Sequence, residues 1–94
     1  MEKKINIKKH LGKFIVTRNS IIDLFSDINS LQEKFIILDF KNVDFISRSA
    51  ADEYIRNKMI LKKSIKEINI SINVLAMFYL VIKQGRLNKS LIAI

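Results

Sequence analysis

An unbroken apolar run, Phe35-Ile36-Ile37-Leu38, closes on Asp39 and gives way to a helical pattern from Ser49 onward. That succession constrains the fold more than anything else in the chain. A short continuous apolar run reads as a strand in the middle of a sheet, expected to be buried on both faces. Lys41 to Asp44 is a polar link, and Phe45-Ile46 is a second apolar step before Ser47-Arg48-Ser49. Ser49 with Asp52 three residues later is an S-x-x-D helix start, and Glu53 stands beside it. Carboxylates in a first turn face the positive end of the helix dipole. A strand, a polar loop and a helix N-terminus together form a place where α/β proteins often put function.

On the N-terminal side, Ile5 and Ile7 alternate with Asn6 and Lys8, which predicts a strand. Lys9 to Gly12 is expected to turn, and Lys13 to Thr17 to return as the second strand of a hairpin. Ile21, Ile22, Leu24, Phe25, Ile28 and Leu31 sit at helical spacing, with Asn19 or Ser20 as the expected cap and Glu33 as the expected end. On the C-terminal side the helix from Ser49 is expected to reach Lys63. Lys66 to Ile72 alternates as a strand, and Asn73 is expected to cap a helix over Val74 to Gln84. Gly85 would end that helix, leaving Ser90 to Ile94 for a short last strand. The fold class is therefore α/β, a mixed β-sheet packed by helices in the order ββαβαβα with a final strand.

Ninety-four residues make one domain, 1–94. Two glycines and no proline argue against a turn-rich sandwich, and the absence of cysteine removes disulfides, thiol chemistry and cysteine-ligated metals. The longest uncharged run, Ile68 to Ile82, has 15 residues, fewer than the roughly 20 that span a bilayer. Met1-Glu2-Lys3-Lys4 has no apolar signal core, so a cytoplasmic protein without a membrane segment is expected. Net charge is +8, and it is uneven. Residues 1–53 hold nine Lys/Arg against eight Asp/Glu, and residues 54–94 hold eight against one. Such a balance fits nucleic acid, an acidic protein partner, or a solvated face that serves solubility alone, and the last is favoured over a phosphate-binding face.

The stretch LDFKNVDFISRSAADEY, Leu38 to Tyr54, resembles the STAS-like domains, relatives of the STAS domains of anti-sigma-factor antagonists. The likeness lies in Asp39-Phe40 ending a strand, Val43 and Ile46 around the loop, Ser47-x-Ser49, and Ala51-Asp52-Glu53 opening a helix. It implies a small α/β regulatory module that works by protein contact. In the antagonists a partner ATP-binding kinase phosphorylates a junction serine and switches binding off. STAS-like relatives are often found with ATPase domains of the histidine-kinase type, which makes such an ATPase the implied partner. Their pattern is Asp-Ser-Ser/Thr-Gly, whereas this chain has Ser47-Arg48-Ser49-Ala50. The usual acceptor position falls on Arg48, which leaves Ser49 and Ser47 as the candidate phosphorylation sites. Asp44, Arg48, Asp52 and Glu53 are the candidate partner contacts.

The bland readings stand beside these. Ser49 as a helix cap alone is favoured over Ser49 as an acceptor. Asp39, Asp44, Asp52 and Glu53 are the only acidic group near the junction, and helix-start and loop geometry account for them better than a metal or acid–base pair. His10 is a lone histidine among lysines. No phosphate loop or nucleophile motif is present, so no enzyme and no cofactor is expected. Val74 to Ile82 is nine apolar residues in succession. If that helix is apolar all round, a partner or a second subunit in a homodimer is expected to cover part of it. The alternative function is a small basic nucleic-acid-binding protein.

Overall fold

The computed structural model describes the backbone over residues 1–93 and the side chains over residues 1–85. Nine elements follow in order: β1 (Glu2–Asn6), α1 (Ile7–Leu11), β2 (Phe14–Ile15), α2 (Arg18–Ser30), β3 (Phe35–Asp39), β4 (Phe45–Ile46), α3 (Arg48–Ile60), β5 (Ser64–Ile68) and α4 (Ile72–Ala93). The α/β class and the alternation of strands with helices are as expected. The pairing is parallel throughout, in two small sheets. β3 lies between β1 and β5, while β2 pairs with β4.

The expected hairpin does not form. β1 and β2 belong to different sheets, separated by a helix that the alternation of Ile5 and Ile7 concealed. Asn6 is the cause. Its side chain accepts from the Lys9 backbone N–H at 3.1 Å, which caps α1. Ile7 is fully buried from the first position of that helix, not from a strand. Gly12 ends α1 with φ of 85°, a left-handed conformation that a side chain would strain.

α2 buries Ile21, Leu24, Phe25 and Ile28, the i, i+3, i+4, i+7 stripe of an amphipathic helix. Its cap is Thr17, ahead of the expected Asn19 or Ser20, with the hydroxyl accepting from the Ser20 N–H at 3.2 Å. At its other end the Lys63 ammonium donates to the carbonyls of Ile28 (2.8 Å) and Leu31 at the helix C-terminus, where Ile28 O also accepts from the Leu31 N–H at 3.2 Å.

β3 is central in its sheet, but only one of its faces is fully buried. Ile36 and Leu38 are fully enclosed, whereas Phe35 is 56% exposed and Ile37 is flanked in register by exposed Lys4 and Lys66. The chain after β3 turns through Lys41-Asn42, with the Val43 N–H donating to Phe40 O at 3.0 Å and Asn42 at φ of 63°. β5 sits earlier than expected, and Asn69, also at positive φ (59°), ends it. The cap of α4 is Ser71, ahead of the expected Asn73; its hydroxyl accepts from Val74 N–H at 3.3 Å. α4 continues through Gly85 as helix to Ala93, so no strand forms over Ser90 to Ala93, and Ile94 lies outside the described residues. Among the described residues no helix is long and apolar enough to cross a membrane.

Asp39 closes β3 and is the one buried charged side chain in the described core. Asn69 Nδ2 (2.9 Å) and the Lys41 N–H (3.0 Å) donate to its Oδ1, and Lys4 stands 3.5 Å from Oδ2. The Asn69 bond, then the Lys41 N–H, hold its pKa below the usual 3.8 against the opposing pull of burial. A lowered folded-state pKa means that this stabilisation is fully present above pH 3.8 and is lost as pH falls through the folded value. Asp39→Asn is therefore expected to flatten the acid limb of the stability curve below about pH 4, measured by urea unfolding at stepped pH. Lys63→Met keeps the aliphatic stem and removes the two carbonyl contacts. It is expected to lower stability by about 1 kcal/mol in the same assay.

Candidate functional site

The strand–loop–helix junction is built on a two-residue parallel ladder. Asp44 N–H (2.9 Å) and Phe45 N–H (3.2 Å) donate to Lys13 O, and Ser47 N–H donates to Ile15 O at 2.8 Å. The ladder holds Ser47 extended, with φ of −70° and ψ of 160°, and the helix begins at the next residue. Ser47 is therefore the cap of α3, with Oγ accepting from the Ala50 N–H at 3.1 Å. This corrects the expected cap at Ser49. Asp52 and Glu53 consequently fall beyond the first turn, which holds no acidic residue, and their role is not to face the helix dipole.

The two junction serines divide the available hydrogen bonds. Ser47 Oγ donates its one proton to Val16 O at 2.6 Å. In the 3.2 Å contact between the two hydroxyls, Ser49 must then be the donor. Ser47 thus spends its hydroxyl on joining β2 to the start of α3. Ser49 Oγ keeps its acceptor positions and lines an open groove.

That groove, about 1020 Å³ in volume, runs between α3 and α4. Ile55, Met59, Val81 and Ile82 supply apolar walls. Arg18, Arg48, Arg56 and Lys58 supply charge, with Asp52 the one carboxylate lining it. Arg18 opens α2, and its Nη1 lies 3.1 Å from Asp52 Oδ2 and 3.3 Å from Glu53 Oε1. Arg56 Nε reaches the same Asp52 oxygen at 3.1 Å. Lys58 Nζ is 2.7 Å from Glu67 Oε2, which also accepts from the buried Tyr54 hydroxyl at 2.6 Å. Burial, and then the Glu67 charge, push the Tyr54 pKa well above 10, so the phenol stays a donor. Arg48 differs from these cations. Its partner is the neutral side chain of Gln84 on α4.

Arg48, Ser49 and Asp52 thus meet on one groove. Glu53 is held by Arg18 and by Asn57 Nδ2 (2.8 Å), while Asp44 points elsewhere and pairs with Lys13 at 3.6 Å. Asp39 is engaged with Asn69, so the four acids do not form a cluster, and no group of three or more metal-ligating side chains occurs among the described residues. His10 lies exposed in the last turn of α1.

Two features escaped the sequence reading. Arg18, 34 residues from Asp52, carries no local signal of its role. Phe14 and Phe45 are register partners on β2 and β4, 60% and 42% exposed, with Val16 (55%) on the same face as Phe14. Their neighbours Ile15 and Ile46 are buried, as strand alternation requires. The exposed face therefore follows once the strand is assigned, but the pairing of the two phenylalanines does not. On α4, Val74, Phe78 and Val81 face the core and Ile72, Leu75, Tyr79 and Leu80 are exposed, so the apolar run has a covered side and an open one.

The division between the serines has a measurable consequence. Ser47→Ala is expected to cost about 1–2 kcal/mol through the lost cap and the unpaired Val16 carbonyl, while Ser49→Ala stays within about 0.5 kcal/mol of the parent. Thermal or urea unfolding of the two variants reads the contrast directly.

Set against known protein families, curated proteins and solved structures, the chain matches none of them.

Proposed function

We propose that this chain is a non-enzymatic, cytoplasmic regulatory module of the STAS-like type that docks on a partner protein, an ATPase of the histidine-kinase type, through its strand–loop–helix junction. The observation that carries the reading is the groove of about 1020 Å³ that opens at the start of α3 and takes Arg48, Ser49 and Asp52 from the junction into its lining. Its apolar walls and charged rim have the mixed character of a protein contact surface. Ser49 is the better placed acceptor for control by phosphorylation. A phosphate there would share the groove with Arg18, Arg48 and Arg56, whereas the Ser47 oxygen is committed to three hydrogen bonds. The open stripe of Ile72, Leu75 and Tyr79 on α4 lies outside this groove lining and is the surface on which homodimerisation would rest.

Co-expression with candidate ATPases tests the proposal. Arg48→Ala and Ser49→Asp are each expected to weaken capture about tenfold or more, as substitutions at the centre of a contact do. If neither changes the affinity of any partner, the junction is not the contact.

Phe14 and Phe45 favour a second reading, since two exposed aromatics side by side next to Lys13 on a chain of net charge +8 resemble a stacking platform for single-stranded nucleic acid. That reading requires retention on single-stranded DNA or RNA that falls steeply with salt and is lost in Phe14→Ala. Failure to bind at low salt removes it.

A further inference from the structure

The charges lining the groove are unevenly satisfied. Arg18 and Arg56 share Asp52, Arg18 also holds Glu53, and Lys58 holds Glu67. Among the described residues Arg48 alone of the four lining cations has no carboxylate partner; the Gln84 amide, reaching across from α4, stands in for one. A guanidinium binds a carboxylate more strongly than a neutral amide, because both partners are then ionised and two parallel bonds can form. The Arg48–Gln84 bridge is thus a weak closure at one end of an apolar trough. The groove is at the upper limit of small-molecule sites, which run to roughly 1,000 Å³, and it follows α3 from Arg48 to Met59, with the stretch Val81 to Gly85 of α4 as its other wall. Its dimensions suit a segment of polypeptide.

We infer that the groove between α3 and α4 takes an acidic amphipathic segment of a partner protein, whose apolar residues seat on Ile55, Met59, Val81 and Ile82 and whose carboxylate displaces Gln84 from Arg48. This rests on the junction-docking reading and specifies what docks. The net charge of +8 acts in the same direction at long range, drawing an acidic segment toward the surface before contact. Charge selects the partner and Arg48 sets its register.

Gln84 makes the inference testable with opposite signs. Gln84→Glu gives Arg48 an internal carboxylate and closes the trough; Gln84→Ala releases Arg48. The probe is a fluorescein-labelled amphipathic peptide of about four helical turns, with leucine at i, i+3, i+4 and i+7 and glutamate elsewhere. A matched peptide with lysine in place of glutamate is the control. Binding is read by fluorescence anisotropy on the full chain. Relative to the parent, the acidic peptide is expected to bind about tenfold more weakly to Gln84→Glu, Arg48→Ala and Met59→Asp, and several-fold more tightly to Gln84→Ala. Lys8→Glu/Lys9→Glu lowers the net charge by four at two exposed positions of α1 and is expected to leave the ranking of these variants intact.

Equal binding of the acidic peptide to all groove variants, equal binding of the lysine peptide, or no binding at all overturns the inference. So does self-association in sedimentation that Met59→Asp abolishes, since the occupant would then be a second copy. A native partner that responds to Arg48→Ala and Ser49→Asp but not to Met59→Asp or Gln84→Glu overturns the inference and leaves junction docking standing.

Discussion

The ring of Tyr54 is the contact on which the layers of this fold depend. It stacks on Phe78 of α4 with centroids 4.7 Å apart, and meets Phe25 of α2 (5.4 Å) and Phe40 after β3 (6.0 Å) edge-on. Phe40 and Phe78 close the set at 6.2 Å. Its hydroxyl is held by Glu67 of β5. One side chain of α3 therefore touches two other helices, the end of the central strand and an edge strand. Edge-to-face and offset pairs of this kind add to the burial of large apolar area, and a phenol so deeply enclosed requires the partner that Glu67 provides. The junction inherits its rigidity from this arrangement. Tyr54 lies less than two turns beyond the start of α3, so the position of Arg48 and Ser49 is set by the core beneath them.

The parts of the fold legible in the sequence are those with a local cause. The stripe of α2, the apolar run of β3 and the alternation of strands with helices all follow from side-chain period. The parts that were not legible have tertiary causes. Whether Lys13 to Thr17 pairs with β1 as a hairpin or with β4 in parallel is decided by distant partners, and β2 is only two residues long. A helix of five residues, α1, completes barely more than one turn, so its period cannot be told from a strand's. Ser49 with Asp52 carries the local pattern of a helix start, and Ser47 is the cap because the ladder to Ile15 fixes where extension ends. β3 was expected to be covered twice because its run is wholly apolar. Ile37 instead is flanked in register by two exposed lysines, Lys4 and Lys66.

The candidate site was legible in its residues and not in its electrostatics. Arg48, Ser49, Asp52 and Glu53 could be chosen from the pattern, but the cation that organises the two acids, Arg18, belongs to another helix. Exposed ion pairs such as these are worth about 0–1 kcal/mol each, so their contribution to stability is minor. Their effect is on arrangement. Asp39, Asp44, Asp52, Glu53 and Glu67 are all engaged by cations or amides. With so many of the acids occupied in this way, the excess of positive charge is what the molecule presents to anything that approaches.

Ser47 and Ser49 are two residues apart and chemically identical, yet they cannot exchange roles. Ser47 stands where a strand ends, so its hydroxyl is within reach of the Val16 carbonyl on one side and the Ala50 N–H on the other. Ser49 stands one residue into the helix, where its own N–H belongs to the first turn and its hydroxyl is not required for capping. A charge added at Ser47 would have to break the bond that joins the two-stranded sheet to α3, and would act by loosening the junction. A charge added at Ser49 would enter a preformed groove that already holds three arginines, and would alter that surface while leaving the fold in place. The fold-bearing hydroxyl is thus separate from the surface-bearing one, and under the proposed control by phosphorylation only the second could change without loosening the junction.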